Sequence, residues 1–394
     1  NPGSKLVITG CYAQRAPGEV SRLDGVWLVV GNSHKHQLGE IALGSNAQVG
    51  AGGTDFIPLA KLTAPGTPAA PIFVSDIFAH SELLAAPVFD SANERTRPVL
   101  KVQDSCNNRC SFCIIPSVRG KSRSLPLEEA VRQVEQLVEA GYREVVISGI
   151  NLGRWGRDLR REGAQRAGLT DLIDAILAQT KLRTLRISSV EPMDWSEPLI
   201  ERMAASPRIA KHTHVPMQSG SDRVLRRMHR RYRPWHYREK IERIRAAMPE
   251  AAIGADVMTG FPGETESEFR ATCRMVEELP FTYLHVFTFS PRPGTPAASA
   301  PDPVPEALAR ERNLILRRLA EEKRRAFMRS LVGRRLDAIT LNLRAENAGG
   351  TWTQALTDNY VKLRLAGQHE RNRWLAVKVD AVEGDSLMGA VAGP

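Results

Sequence analysis

The sequence predicts an α/β protein built around an open, partial (β/α)6 barrel, with a shorter α/β segment before it and a small all-β barrel after it. Three observations carry this. From Val99 to Phe289 short apolar runs alternate six times with amphipathic stretches of helical period. After Gly333 the period changes to short alternating segments parted by turn residues. Before Gly44 two apolar runs each end on a glycine. The chain has 394 residues, 42% apolar and 25% charged, enough for two or three domains with a sizeable core. No apolar run reaches the length of a membrane span, so no membrane partner is expected.

Taken in order, Lys5 to Thr9 reads as a strand running into Gly10-Cys11, and Val26 to Val30 as a second. From Gly44 to Pro71 the composition shifts to Gly, Ala, Pro and Thr, a loop or linker. Candidate strands follow at 99–103, 144–150, 183–188, 212–217, 253–258 and 283–289. Helical stretches lie at 127–140, 169–179, 196–205, 220–230, 235–247 and 264–279. Strict β/α alternation implies parallel strands with right-handed crossovers. Six units are too few to close an eight-stranded barrel, hence an open one, with its chemistry at the C-terminal strand ends. Residues 305–330 read as one long charged helix. Leu336 to Leu343, Thr351 to Ala355, Tyr360 to Leu365, Trp374 to Val382 and Leu387 to Val391 read as the strands of the terminal barrel. The expected division is 1–60, a linker at 61–96, a main domain at 97–332 and the small barrel at 333–394.

Just past the first strand of the main domain stands Cys106-Asn-Asn-Arg-Cys110-Ser-Phe-Cys113. Three thiolates at C-x3-C-x2-C spacing can hold three corners of an iron–sulfur cubane and leave the fourth iron open to a small molecule. The alternative is a structural zinc site, which wants four N/S ligands, usually as two separated pairs. No second C-x2-C pair follows, and His212 and His214 stand far off. Five cysteines with three clustered do not resemble a disulfide framework and suggest a reducing, cytoplasmic setting. A formal net charge of +10, mostly arginine, favours a polyanionic partner, and nucleic acid is the commonest. A solubilising surface would give the same charge.

The run from Lys101 through Cys106, Cys110 and Cys113 to Ile114-Ile115-Pro116-Ser117-Val118-Arg119-Gly120-Lys121-Ser122-Arg123-Ser124 resembles the signature of the radical S-adenosylmethionine methylthiotransferases. Gly10-Cys11-Tyr12-Ala13-Gln14 is similar to the end of that family's N-terminal domain, here truncated, and residues 330–394 are similar to its C-terminal TRAM barrel, which binds RNA. The resemblance implies that Cys106, Cys110 and Cys113 hold a [4Fe-4S] cluster. S-adenosylmethionine then chelates the open iron and is cleaved to a 5′-deoxyadenosyl radical. The cofactor carries that chemistry, and the protein supplies orientation and electrostatics.

The cofactor's remaining contacts are expected at successive strand ends. Ser148, Gly149 and Asn151 follow the second strand and Glu191 the third. Gln218 and Ser219, in His214-Val-Pro-Met-Gln-Ser-Gly-Ser221, follow the fourth. Arg231 suits a methionine carboxylate by bidentate pairing. Asp256 and the turn Gly260-Phe-Pro-Gly-Glu264 are placed at the end of the fifth strand, and Phe112 beside the cluster or the adenine, with plain core packing the alternative. The family carries a second cluster on three N-terminal cysteines, so its full-length members hold two. Only Cys11 is a candidate here, and since the chain opens on Asn the other two are expected upstream. Without them sulfur insertion would not be completed. Cys273 reads as a small buried hydrophobe.

Gly149-Ile-Asn151-Leu-Gly-Arg154-Trp-Gly156 and Arg186-Ile-Ser-Ser-Val-Glu191-Pro192 resemble the branch acting on N6-threonylcarbamoyladenosine in tRNA. That implies methylthiolation at C2 of the base at position 37, next to the anticodon, with Glu191 a reader of the threonylcarbamoyl group. The alternative within the family is isopentenyladenosine in tRNA, and the distant alternative is a non-enzymatic iron–sulfur RNA-binding protein. Implied partners are tRNA and an electron donor such as flavodoxin or ferredoxin. Trp352, Asn359, Tyr360, Arg364, Arg371, Arg373 and Trp374 are the barrel's candidates for RNA, with both tryptophans equally suited to its core. Because the strand-end site lies in another domain, removing the barrel is expected to leave cofactor cleavage nearly unchanged.

Overall fold

The computed structural model describes residues 4–44, 69–80, 83, 96–159, 167–347 and 350–393, the side chains of 343–350 excepted. Most of the expected linker at 61–96 therefore lies outside the described residues. The chain divides into two compact units. One comprises Asn1–Pro87, Asp104–Arg109 and Cys113–Ser124, and the other Val88–Gln103, Cys110–Phe112 and Leu125–Pro394.

The first unit holds β1 (Leu6–Gly10), α1 (Cys11–Arg15), α2 (Pro17–Val20), β2 (Val26–Gly31), α3 (Leu38–Ala42) and β3 (Ile72–Phe73). The three strands form a parallel sheet in the order β1-β2-β3. Val29 buries one face of β2 with Ala13 and Val20, and Leu28 and Val30 bury the other with Ile41. Burial on both faces explains why β2 is apolar at nearly every position.

The main unit follows the predicted alternation closely. Its strands are β4 (Val99–Lys101), β7 (Glu144–Ser148), β8 (Thr184–Ile187), β9 (His212–His214), β10 (Ala252–Thr259) and β11 (Tyr283–Thr288). The two-residue strands β5 (Gln103–Asp104) and β6 (Arg123–Ser124) and helix α4 (Ile115–Arg119) accompany the cysteine segment. Parallel ladders join β4-β7-β8 and β9-β10-β11, and a bridge from Leu185 to Ile209 links the two sets into an open barrel. The crossover helices are α5 (Leu127–Glu139), α6 (Leu169–Gln179), α7 (Glu197–Ala205), α8 (Asp222–Arg227), α9 (Pro234–Ala247) and α10 (Glu266–Glu278). In α5 the buried residues are Ala130, Val131, Val134 and Leu137, one helical stripe. A capping box between Thr265 and Glu268 starts α10.

Gly254 in β10 is required by close approach. A Cβ there would overlap the ring of Tyr283, which lies across β10 and reaches His212 on β9 at 2.7 Å. Glu264, in the turn expected at the end of the fifth strand, is buried. It accepts from the Gly260 N–H at 2.9 Å and from Arg312 of α11 (Glu306–Ser330) at 3.0 Å. This clamp seats α11 along β10 and β11, where Thr259 Oγ1 donates to the Ala309 carbonyl at 3.1 Å.

After α11 come β12 (Arg335–Asn347), β13 (Gly350–Thr357), β14 (Lys362–Ala366), β15 (Trp374–Glu383) and β16 (Ser386–Val391), closed in the order β12-β13-β14-β16-β15. The barrel core of Leu336, Leu363, Leu365, Val377 and Leu387 includes Met328 and Leu331 from the last turns of α11. The barrel and the (β/α)6 strands therefore share one compact unit. Buried Arg186 of β8 bonds Glu144 of β7 at 2.6 Å and donates to the Asp358 carbonyl at 2.9 Å. Asn359 Nδ2 donates to the Glu250 carbonyl at 3.2 Å, and the Tyr360 ring lies 4.4 Å from that of His212. This overturns the expectation of an independent terminal barrel. Its 357–361 turn is built into the N-terminal end of the strand barrel, so deletion would uncover Arg186, Glu144 and His212.

Asp358 in that turn is half-buried, and desolvation pushes its carboxyl up to about 6, with Asp337 adding to the rise and the Asn359 N–H and Arg186 opposing it. Its unfolded value is about 3.9. The group costs nothing while protonated, and the cost grows as pH rises from about 4 to about 6 and is complete above that. Asp358→Asn is expected to stabilise the protein by up to about 3 kcal/mol at pH 7.5. The gain should vanish below about pH 4. Thermal unfolding across that range checks it, and a gain independent of pH would refute the assignment.

Candidate active site

Cys106, Cys110 and Cys113 are all half-buried. Within the first unit the Asn108 N–H lies 3.3 Å from Cys106 Sγ. Ser105, immediately before, holds a left-handed φ of 62°, and its hydroxyl bonds the Gly120 carbonyl. Asp104 binds Arg119 at 3.0 Å and Arg123 at 3.6 Å, and the Asn107 side chain accepts the Ser122 N–H at 2.9 Å. The chain flanking the cysteines is thus held by charge and turn chemistry. Cys11 lies in the same unit, where Asn32 Nδ2 reaches its sulfur at 3.4 Å and the Val118 carbonyl at 2.8 Å. The Arg119 guanidinium is held above its ordinary range by Asp104 and Cys11, which outweigh burial.

Within the main unit Cys110 receives Arg230 Nη1 at 3.3 Å, and Arg230 Nη2 pairs with Glu191. Arg231, the expected carboxylate ligand, is exposed, and its neighbour takes the inward position. His229 explains the shift: its left-handed φ of 56° reverses the chain one residue before Arg230. Burial raises the Glu191 carboxyl and Arg230 opposes that rise. Glu191 therefore has one oxygen committed to a cation, which the expectation of a substrate reader did not foresee. Phe112 packs edge-on against Phe261, ring centroids 6.4 Å apart.

At the end of β7, Gln103 reaches across to accept the Asn151 N–H at 2.8 Å, and a Cβ on Gly149 would collide with the Gln103 side chain. This fixes the Ser148–Asn151 turn. Gln218 follows β9 with φ 64°; its side chain is buried and among the described residues Oε1 has no partner, as is also true of Ser188 Oγ. Gln218 combines a buried, unpartnered amide oxygen with a left-handed backbone, a combination that concentrates at ligand sites. Ser219 departs from expectation. It is fully buried, with its hydroxyl 3.2 Å from Thr272 Oγ1 and accepting the Ser221 N–H at 3.1 Å, so it packs α10. Asp256 lies three residues short of the end of β10 and faces the barrel interior, 3.4 Å from His214 Nε2.

That interior contains a cavity of about 430 Å³, bordered by Ser188, Ser189, His214, Asp256, His285 and, from the terminal barrel, Tyr360. Ser189 Oγ and His214 Nδ1 are 2.6 Å apart. Burial and nearby arginine charge hold His212 well below its ordinary value, and burial and His214 lower His285 while Asp256 opposes that shift. Asp256 and the segment from His214 were marked in the sequence, but their convergence with Ser188, Ser189 and His285 was not, because these residues come from different strands.

The terminal barrel corrects the expectation for its aromatics. Trp352 and Trp374 are half-buried outside the barrel core, each beneath a guanidinium, Arg364 at 5.2 Å and Arg183 at 5.5 Å. Asn359 is buried and engaged with Glu250, and Arg373 is paired with Glu370 at 2.7 Å.

Residues 100–276 match the Radical SAM superfamily. The chain is 35% identical over 371 residues to the threonylcarbamoyladenosine tRNA methylthiotransferase MtaB of Bacillus subtilis, covering 94% of this chain and 77% of that protein. The chain belongs to this methylthiotransferase family. The Aquifex aeolicus protein of the same name is 33% identical, covering 96% of this chain and 84% of its own length. A tRNA-2-methylthio-N(6)-dimethylallyladenosine synthase of Coxiella burnetii is 38% identical over a shorter stretch, 59% of this chain and 53% of that protein.

A [4Fe-4S] cluster and S-adenosylmethionine are the cofactors of this radical enzyme. The donor set fits them. Three cysteines stand within eight residues of sequence, a buried guanidinium meets the Cys110 sulfur, and among the described residues Gln218 Oε1 and Ser188 Oγ are buried without a partner. Among the described residues no three His, Cys, Asp or Glu side chains converge as ligands of a single ion do. Cluster thiolates bind separate irons and have no need to converge. Among the described residues no helix is long and apolar enough to cross a membrane.

Anaerobic reconstitution is expected to load an oxygen-sensitive [4Fe-4S] cluster that the triple variant Cys106→Ala, Cys110→Ala, Cys113→Ala loses. Cys273→Ala should keep it, since burial pushes that thiol up to about 11 and leaves it protonated. Iron and sulfide analysis with electron paramagnetic resonance decides, and full cluster content in the triple variant would sink the assignment.

Proposed function

We propose that this protein adds a methylthio group to C2 of N6-threonylcarbamoyladenosine at position 37 of tRNA. Cys106, Cys110 and Cys113 hold the radical cluster, and Cys11 is one ligand of a second cluster. When bound, the cluster and S-adenosylmethionine supply the radical chemistry. The chain's own residues do the rest. The turn fixed by Gln103 presents Ser148, Gly149 and Asn151 to the cofactor. Gln218 and Ser188 offer it acceptors, and Arg230 takes the cationic role first expected of Arg231.

The observation that carries the substrate choice, beside the relatives' names, is the polarity of the barrel interior. A threonylcarbamoyl group ends in a carboxylate and a hydroxyl. Of the lining residues, His285 and the Arg97 guanidinium can donate to such a group, with the Asp256 carboxylate held by His214, along a cavity of about 430 Å³. An isopentenyl group would leave these groups desolvated and unpaired. The isopentenyl reading keeps some support from the Coxiella burnetii relative, at 38% identity over 234 residues. On the terminal barrel, Trp352 beneath Arg364 is the better candidate for an RNA base, and the domain from 333 onward is read as the RNA-binding TRAM module.

The test supplies cluster-loaded protein that carries all three N-terminal cysteines, a reductant and S-adenosylmethionine with tRNA carrying either modification. Mass spectrometry of the digested nucleosides should find the methylthio group on threonylcarbamoyladenosine. Threonylcarbamoyl tRNA should also bind at least about tenfold more tightly than isopentenyl tRNA, the worth of one charge-assisted hydrogen bond. Preference for isopentenyl tRNA in both assays would move the protein to the other branch.

A further inference from the structure

Five arginines crowd residues 226–233, and they are not equivalent. Arg226 bonds Asp222 at the surface at 2.9 Å, Arg227 bonds Glu268 at 2.9 Å, and Arg233 bonds Asp222 at 3.1 Å. Arg231 is exposed. Arg230 alone of the five is buried, 7% exposed, against a sulfur.

The fold fixes this contact from both sides. Ser111, next to Cys110, donates its N–H to the Met228 carbonyl at 3.1 Å and its hydroxyl to the Arg227 carbonyl at 2.7 Å. The Ala297 N–H bonds the Ser111 carbonyl at 2.8 Å. The cysteine's neighbour is thereby tied to the end of α8. His229 then adopts φ 56°, a left-handed turn that a non-glycine residue holds only where its surroundings impose it. The turn drives Arg230 inward. Nη1 lies 3.3 Å from Cys110 Sγ, Nη2 meets Glu191, and the guanidinium stands 5.0 Å from the Tyr232 ring centroid.

Burying a guanidinium is a poor route to stability, since an apolar replacement of a buried pair is often neutral or better. Hydrogen bonds and charge at ligating sulfurs do, however, set the potential of an iron–sulfur cluster. We propose that Arg230 is a positioning residue that raises the reduction potential of the cluster held by Cys110, with Glu191 trimming the effect through its opposite charge. This rests on Cys110 being a cluster ligand. Reduction adds an electron to the cluster, and a cation hydrogen-bonded to its ligating sulfur favours that added charge. The carboxylate of Glu191 opposes it, so the two side chains act with opposite sign. A merely structural pair would not show this.

The test is an anaerobic redox titration of the iron- and sulfide-loaded protein without S-adenosylmethionine, followed by electron paramagnetic resonance of the reduced cluster. Iron and sulfide content is measured on each sample. At the wild-type midpoint, Arg230→Gln is expected to lower the reduced-to-oxidised ratio at least about tenfold, about 59 mV for a one-electron couple. Glu191→Gln should raise the ratio, and Arg230→Lys should fall between wild type and Arg230→Gln. Unchanged potentials in Arg230→Gln and Glu191→Gln at full cluster content would overturn the proposal. Should Arg230→Gln fail to load, Glu191→Gln decides alone: a rise supports the proposal and no shift overturns it. A wild-type level of cluster in Cys110→Ala would instead remove the reading on which it rests.

Discussion

The strand barrel depends on a guanidinium that has almost no contact with water. Arg186 is 2% exposed and Glu144, its partner across β7 and β8, is fully buried. Nε and Nη2 face the carboxylate at 2.6 and 3.4 Å, while Nη1 and Nη2 also face the Asp358 and Thr357 carbonyls at 2.9 and 3.5 Å. Only a planar fork of fixed donors can serve a carboxylate on one side and two carbonyls on the other; a lysine cannot. Removing one partner would strand a buried charge at a cost of about 3–5 kcal/mol. The pair therefore specifies an arrangement more than it stabilises one. It ties the first residue of β7, the third of β8 and the turn after β13 to one another.

Arg230 repeats the device near the C-terminal strand ends, with a different outcome. It too is buried and faces one carboxylate, Glu191. Its second arm meets the Cys110 sulfur where Arg186 meets backbone carbonyls. Carbonyl oxygens are fixed acceptors, so the lower arginine is fully used by the fold. On the proposed assignment of Cys110 as a cluster ligand, its sulfur changes charge with the redox state of the cluster, and the upper arginine is coupled to chemistry. The same side chain is structural or functional according to whether its acceptor can change.

Much of this was legible in the sequence because the signals are local. The expected strand at 183–188 is found at Thr184–Ile187, the helix at 169–179 is found as Leu169–Gln179, and all five strands of the terminal barrel form. Periodicity and turn residues act over a few positions, and so does the cysteine spacing. What escaped depends on residues far apart. Arg186 and Asp358 are 172 positions apart, and nothing in either segment announces the other. The exchange of Arg231 for Arg230 turns on one left-handed residue, His229, in a run of arginines where a shift by one leaves the composition unchanged. Ser219 was misplaced for a related reason. A serine after a strand reads as an open polar group until Thr272 of α10 is found against it.

The barrel interior raises a different kind of selectivity. A hydrophobic pocket discriminates weakly between substituents of similar size, whereas a pocket of fixed polar groups rejects any substituent that cannot pair with them. Here burial and neighbouring charge disfavour the charged forms of His212 and His285. A neutral imidazole donates from one nitrogen and accepts at the other, and its partner decides which. The Nδ1 of His214 is occupied by Ser189 and its Nε2 faces Asp256. The orientation of that ring is therefore set by β8 and β10 rather than by a ligand. On the proposed assignment, a carboxylate-bearing substituent meets His285 and the Arg97 guanidinium, and an apolar one must desolvate them without return. The preference then resides in the rigidity of the parallel strands, which hold the donors in place before the substrate arrives.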